Sequence, residues 1–228
     1  VGGAGNDALD GGKGVNTVDY SKTKYGITVD LSAGSASGNV QNGNSEIGND
    51  TLTNIQIVIG GSGNDSITAA DTGSTLIGGA GNDTLKGGSG ADTITGGAGA
   101  DLLTGGLGND VFVYSNLKDS VANSFDTIAD FNASADKIRN TSLKGGYKLL
   151  GKGSSILSVT ATSAGLSSDL TTALTASIFA AASATLVRYN DDKYLLINDS
   201  TKGFQSGNDA VIKLASVTGT ISLSNFVN

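Results

Sequence analysis

Along the first half of the chain one large apolar residue recurs every nine positions, with small or polar residues around it. GGAGNDALD starts at Gly2, GGSGNDSIT at Gly60, GGAGNDTLK at Gly78, GGSGADTIT at Gly87, GGAGADLLT at Gly96 and GGLGNDVFV at Gly105. These are six copies of GGxGxDxUx, in which U is apolar. Two degenerate copies keep the phase: GGKGVNTVD at Gly11 has Asn16 at the sixth position, and AADTGSTLI at Ala69 has Ser74 there. Positions seven to nine alternate outward, inward and outward, as in a short strand. Leu9, Ile67, Leu85, Ile94, Leu102 and Phe112 are therefore expected to point into a core, one per repeat. A short strand after a turn, repeated, winds into a coil of two repeats that returns the chain one strand spacing, about 4.8 Å, further along. The turns of alternate repeats then stack, with the sixth-position Asp carboxylates between them.

Two other regimes follow from the pattern. Between Asp19 and Ile59 the nonamer is interrupted, yet VDYS, GITVDLS and DTLTNIQIVI keep a strand-like alternation of β-branched and polar residues. The roll is expected to continue there with longer rungs and a polar excursion over residues 34–49; the alternative is a Gly/Ser linker over residues 32–50. After residue 115 the glycines thin out and longer aliphatic runs appear. Ser167, Ser168 or Asp169 can cap a helix whose apolar face is Leu170, Leu174, Ile178 and Phe179. TLVRYN and KYLLIN flank Asp191-Asp192 as a hairpin, with AVIKL and TISLSNF as further strands. The fold expected is all-β, a parallel β-roll (a right-handed β-solenoid) over residues 1–115, followed by a small, mostly β cap with one helix over residues 116–228.

Composition narrows the chemistry. The chain has 228 residues, no His and no Cys, which removes Ser-His-Asp and Cys-His nucleophiles and the usual zinc, copper, haem and iron-sulfur sites. A net charge of -7 with only 14 scattered Lys and Arg argues against a nucleic-acid surface. The most apolar stretch, residues 176–187, is too short to span a bilayer. Gly79-Ala80-Gly81 lacks the GK[ST] of a phosphate loop, and adjacent Asp191 and Asp192 at a hairpin tip suit a turn better than a catalytic pair. The acidic residues are Asp throughout except for Glu46. That excess points to geometry: stacked carboxylates repel unless a cation lies between them. A flexible site of carboxylate and carbonyl oxygens suits Ca2+ above Mg2+ or a transition metal, and glycine at positions one, two and four exposes those carbonyls. Glu is a methylene too long for so tight a turn.

These nonamers resemble the repeats of the RTX family, proteins exported by type I secretion in Gram-negative bacteria and cyanobacteria. The resemblance is strong over residues 1–140 and holds in outline beyond. It implies a parallel β-roll in which turn carbonyls of positions one to four join the Asp side chains in holding Ca2+. Carried over, one column of turns comprises Gly60, Gly61, Ser62, Gly63 and Asp65; Gly78, Gly79, Ala80, Gly81 and Asp83; and Gly96, Gly97, Ala98, Gly99 and Asp101, with ions between Asp65 and Asp83 and between Asp83 and Asp101. The other holds Gly87, Gly88, Ser89, Gly90 and Asp92, and Gly105, Gly106, Leu107, Gly108 and Asp110, with an ion between Asp92 and Asp110. The site facing Ser74 departs from the pattern and is expected to be weak, empty or rescued by Asp71. The first turn contributes Gly3, Gly5 and Asp7. Residues 108–138 resemble the segment that ends the roll in serralysin-type proteins, where a pair spaced as Asp119 and Asp126 supplies a final ion and residues 126–131 form a capping strand. Residues 221–227 are similar to the family's uncleaved C-terminal export signals.

The chain opens on Val inside a repeat, which points to the C-terminal piece of a longer protein. Three functions are open: a structural and export module of a secreted protein, without catalytic activity of its own; the assembly part of a surface-layer protein or adhesin; or the non-catalytic tail of a secreted protease, lipase or alginate epimerase. The partners implied are the type I machinery in transit, and cell-surface polysaccharide or other copies of the chain, at the surface of or outside a Gram-negative-type cell. Without Ca2+ the glycine-rich chain, with one buried apolar residue per nonamer, is expected to stay unfolded.

Overall fold

Strands begin at position seven of the repeats because residues there alternate sides, one large apolar side chain between smaller or polar neighbours, as the chain leaves a glycine-rich turn. The computed structural model describes residues 2–38, 40–41, 44–141, 148–149, 157–159, 166–173, 183–199, 201, 203–222 and 225–227. The first of its two units, Val1–Phe112, contains β1 (Ala8–Asp10), β2 (Thr17–Asp19), β3 (Ile27–Asp30), β4 (Ser35–Gly38), β5 (Val40–Gln41), β6 (Asn44–Ser45), β7 (Asn49–Thr53), β8 (Ile57–Ile59), β9 (Ser66–Thr68), β10 (Thr75–Ala80), β11 (Thr84–Lys86), β12 (Thr93–Ala98), β13 (Leu102–Thr104) and the start of β14 (Val111–Tyr114).

Two parallel ladders follow. One includes the run β2-β8-β10-β12-β14 and the other the run β3-β9-β11-β13, so alternate repeats feed alternate sheets. The register places like on like: Val18 opposes Val58, Val58 opposes Leu76, Leu76 opposes Ile94 and Ile94 opposes Phe112. On the other side Val29, Ile67, Leu85 and Leu103 do the same. All of these are at most 2% exposed. This is the all-β parallel roll that the nonamer predicts.

Three details differ from the expectation. Leu103, not Leu102, points inward, because Leu103 is the eighth position of its repeat; Leu102 is 43% exposed. The interruption is not a simple lengthening of rungs, and its polar excursion is shorter than residues 34–49. β4 turns back antiparallel to β3 and lies in the sheet between β3 and β7, which in turn pairs with β1 in parallel. The two-residue strands β5 and β6 pair with each other.

The second unit, Val113–Asn228, contains β15 (Asp126–Ile128), β16 (Phe131–Asn132), β17 (Lys137–Asn140), β18 (Lys148–Leu149), β19 (Leu157–Val159), α1 (Leu166–Ala173), β20 (Ser183–Tyr189), β21 (Asp192–Ile197), β22 (Ala210–Leu214), β23 (Val217–Thr218) and β24 (Phe226–Val227). β20, β21 and β22 form an antiparallel meander, flanked by β15 parallel to β22 and by β18 and β19 parallel to β20. Leu170, Val187, Tyr189, Tyr194, Leu196, Phe204 and Val211 make its core. The helix spans Leu166–Ala173, so Ser167, Ser168 and Asp169 lie within it and do not precede it. Asp169 is buried there and accepts the Tyr189 hydroxyl at 2.9 Å. Leu174, Ile178 and Phe179 lie outside the described residues. Tyr189 pairs with Asp192, so the hairpin turn is Asn190-Asp191, with Asn190 at φ 53°, and Asp192 belongs to the strand, where its carboxylate meets Lys213 Nζ at 2.7 Å. Among the described residues of TISLSNF, Phe226 is in a strand and Ile221 and Ser222 are not; residues 223 and 224 lie outside the described ones.

Candidate metal centre

Stacking repeats at one strand spacing places each turn on the turn two repeats away, and hydrogen bonds tie the layers. Ala80 N–H donates to Gly61 O, Gly81 N–H to Ala98 O and Leu107 N–H to Gly88 O, each at 2.9 to 3.0 Å. The sixth-position carboxylates join the same stack. Asp65 N–H donates to Asp83 Oδ1 at 2.7 Å and Asp83 N–H to Asp101 Oδ1 at 2.8 Å. In the second column Ser74 N–H donates to Asp92 Oδ1 at 2.7 Å and Asp92 N–H to Asp110 Oδ1 at 2.9 Å. Asp65, Asp83, Asp92, Asp101 and Asp110 are all buried. The structure thus brings together the two predicted columns.

The second oxygen tells the turns apart. Asp65 Oδ2 accepts Gly61 N–H and Asp92 Oδ2 accepts Gly88 N–H, both at 2.8 Å. Asp83 Oδ2 is buried with no hydrogen-bond partner. Burial pushes the Asp83 carboxyl up to about 7, and the carboxylates of Asp101 and Asp65 add to the rise. Burial also raises Asp65 and Asp92. A buried anionic oxygen without a donor is costly, and a hard cation held by oxygen ligands is what this donor set fits. Among the described residues no three acidic side chains gather at one point, so one or two carboxylates and the turn carbonyls would complete each shell. The carbonyls already bonded between layers retain a second lone pair. Glycine at position one of the clean repeats has a further reason: a Cβ at Gly78 would sit 2.2 Å from Asp83 Oδ2 and 2.6 Å from the carbonyl oxygen of Gly96 in the next layer.

The degenerate turns are closed by other means. Ser74 Oγ donates to Thr72 O, while Asp71 Oδ1 accepts the Ser89 hydroxyl at 2.9 Å on the exposed side. Asn16 Nδ2 donates to Asn54 O at 2.9 Å. Asp119 ends a one-turn 3-10 helix, Leu117–Asp119, where its carboxylate accepts Asn116 N–H in a capping box and burial raises its pKa. Asp126 is fully buried in β15, its N–H donating to Ser120 Oγ at 2.8 Å.

Two features of the stack escaped the sequence reading. Asn at position five builds its own ladder on the outside: Asn82 N–H donates to Asn64 Oδ1 and Ala100 N–H to Asn82 Oδ1. The signal was present, since four of the six clean repeats carry Asn there, Asn6, Asn64, Asn82 and Asn109. The other is Asp50, 3% exposed, whose Oδ1 accepts Asp7 N–H at 3.0 Å. It has the ladder position in a stretch the nonamer search passes over.

Residues 1–20, 55–71 and 77–112 match the family model of the RTX calcium-binding nonapeptide repeat. No curated protein matches the chain. Among the solved structures similar to it are two subunits of the Azotobacter vinelandii mannuronan C5-epimerase. AlgE6R3 is 22% identical over 75% of this chain and 78% of its own, with a TM-score of 0.44. AlgE6R2 is 25% identical over 71% of this chain and 91% of its own, with a TM-score of 0.42.

Proposed function

We propose that this chain, whose nonamers are RTX calcium-binding repeats, is a non-catalytic structural and export module of a larger secreted protein, folding when it meets calcium outside the cell. Asp83 carries the reading: its buried Oδ2 lacks a partner and its neighbours in the stack, Asp65 and Asp101, are further carboxylates. Bound Ca2+ supplies the positive charge that such a ladder lacks. The chain's own residues hold the carboxylates at strand spacing through the N–H to Oδ1 bonds, present turn carbonyls at Cβ-free positions, and keep water from the inner oxygens. At the millimolar levels found outside cells, weak oxygen-only sites fill; in the cytosol they do not, and the chain stays unfolded enough to be exported. Among the described residues no helix is long and apolar enough to cross a membrane.

Export has its own test. Produced in a Gram-negative host together with a type I exporter, the chain is expected in the medium, and removal of residues 221–228 is expected to retain most of it inside. Equal export of both forms would contradict the export signal while leaving calcium binding untouched.

A further inference from the structure

We infer that residues 45–53 are a repeat concealed in the interruption whose turn is held by side chains of this chain in place of an ion, so that the calcium ladder of this column begins only at Asp65. The inference rests on the calcium reading above. Gly48-Asn49-Asp50-Thr51-Leu52 repeats the order of Gly81-Asn82-Asp83-Thr84-Leu85, and β7 pairs with β1 in repeat register, Ala8 with Thr51 and Leu9 with Leu52. The polar contacts are copied as well. Asp7 N–H donates to Asp50 Oδ1 at 3.0 Å, as Asp65 N–H does to Asp83 Oδ1, and Asn49 N–H donates to Asn6 Oδ1 at 2.9 Å, as Asn82 N–H does to Asn64 Oδ1.

The second carboxylate oxygen differs. Asp50 Oδ2 accepts the hydroxyl of Tyr20 at 3.2 Å, a bond between two buried residues. Positions one and two of this turn are Ser45 and Glu46, where the clean repeats have glycine. Glu46 Oε2 accepts the backbone N–H of Lys24 at 2.6 Å and of Tyr25 at 3.2 Å. Residues 23–26 are the layer on which turn 60–65 rests, through Ser62 N–H to Thr23 O and Ile27 N–H to Asp65 Oδ1. β4 separates β7 from β3 in the sheet, so the turns that precede these two strands are not joined by direct strand pairing. The one long carboxylate in the chain links them. Residues 23–26, Thr-Lys-Tyr-Gly, offer Asp65 no carboxylate with which to share an ion. The first coils are therefore a calcium-independent brace against which the ion-dependent turns stack.

Asp7 Oδ2, buried without a partner, defines the competing result, an ion between Asp7 and Asp50. Native mass spectrometry in calcium counts the ions. Asp50→Asn and the milder Tyr20→Phe are expected to bind as many as the unaltered chain, and Asp83→Asn at least one fewer. Hydrogen exchange in a chelator supplies an arm that needs no variant: the amides of Asp7, Lys24 and Asn49 are expected to exchange about tenfold more slowly than those of Asp65 and Asp92. Loss of an ion from Asp50→Asn or Tyr20→Phe, or equal exchange of the two sets, overturns the inference. An unaltered chain that binds no calcium would instead bring down the calcium reading beneath it.

Discussion

Gly97→Ala is expected to lower the stability of the calcium-loaded chain by about 2–5 kcal/mol, visible as a large drop in its melting temperature. Gly97 has φ 105°, and a Cβ there would lie 2.0 Å from Gly79 O. The obstacle is backbone of the next layer, which cannot swing aside as a flexible side chain would, and β10 and β12 are paired at this point, Gly79 with Gly97. Gly12→Ala is the control. It has φ 70° but nothing within 4 Å of the added Cβ, so only the left-handed backbone is penalised, by about 1–2 kcal/mol. Equal effects at the two positions would show that the turns are not packed on one another as described.

Asp83→Ala should raise the calcium concentration at half-saturation by at least about tenfold, near 1.4 kcal/mol, while Asp191→Ala should leave it unchanged. Asp83 stands between two layers, bonded to Asp65 N–H and donating its own N–H to Asp101; Asp191 is exposed in a hairpin turn. Calcium-free chain adds a pH signature. The carboxyl of Asp83 is raised in the folded state from 3.8 to about 7, chiefly by burial, so the folded form binds its proton more tightly than the unfolded chain does. The associated stability is fully present below about pH 4 and is lost as the pH rises through about 7. Asp83→Asn should flatten that slope, and saturating calcium should remove much of it. The β-signal of the calcium-free chain at several pH values checks both, since protonation of Asp83 favours the folded turns; a signal that rises with pH over this window without calcium would contradict the burial of a bare carboxylate.

Much of the roll was legible in its repeats because one rule, a turn and a short strand, sets strand, register and ligand position together. The columns of Asp65, Asp83 and Asp101 and of Asp92 and Asp110 follow from counting alone. Where two apolar residues are adjacent, as at Leu102-Leu103, counting had to decide, and the position-eight residue is the buried one. Asp50 was hidden because Ser45 and Glu46 replace the two glycines that make the nonamer recognisable, although the later half of the repeat is intact. The antiparallel turn-back of β4 was beyond local reading, since its residues, Ser-Ala-Ser-Gly, are as polar and small as a linker and its place depends on pairing with β3 and β7. The cap was misplaced because Asp169 has the chemistry of a cap residue, yet it lies within the helix and its carboxylate is taken by the Tyr189 hydroxyl, a long-range partner that local reading does not show.

Far-UV circular dichroism during a calcium titration tests ion-coupled folding most directly. In a chelator the chain should show little β-signal beyond what its first coils and second unit retain. Added Ca2+ should bring a steep, cooperative gain, and an equal concentration of Mg2+ should not. A spectrum that is fully β in the chelator and unmoved by Ca2+ would contradict it.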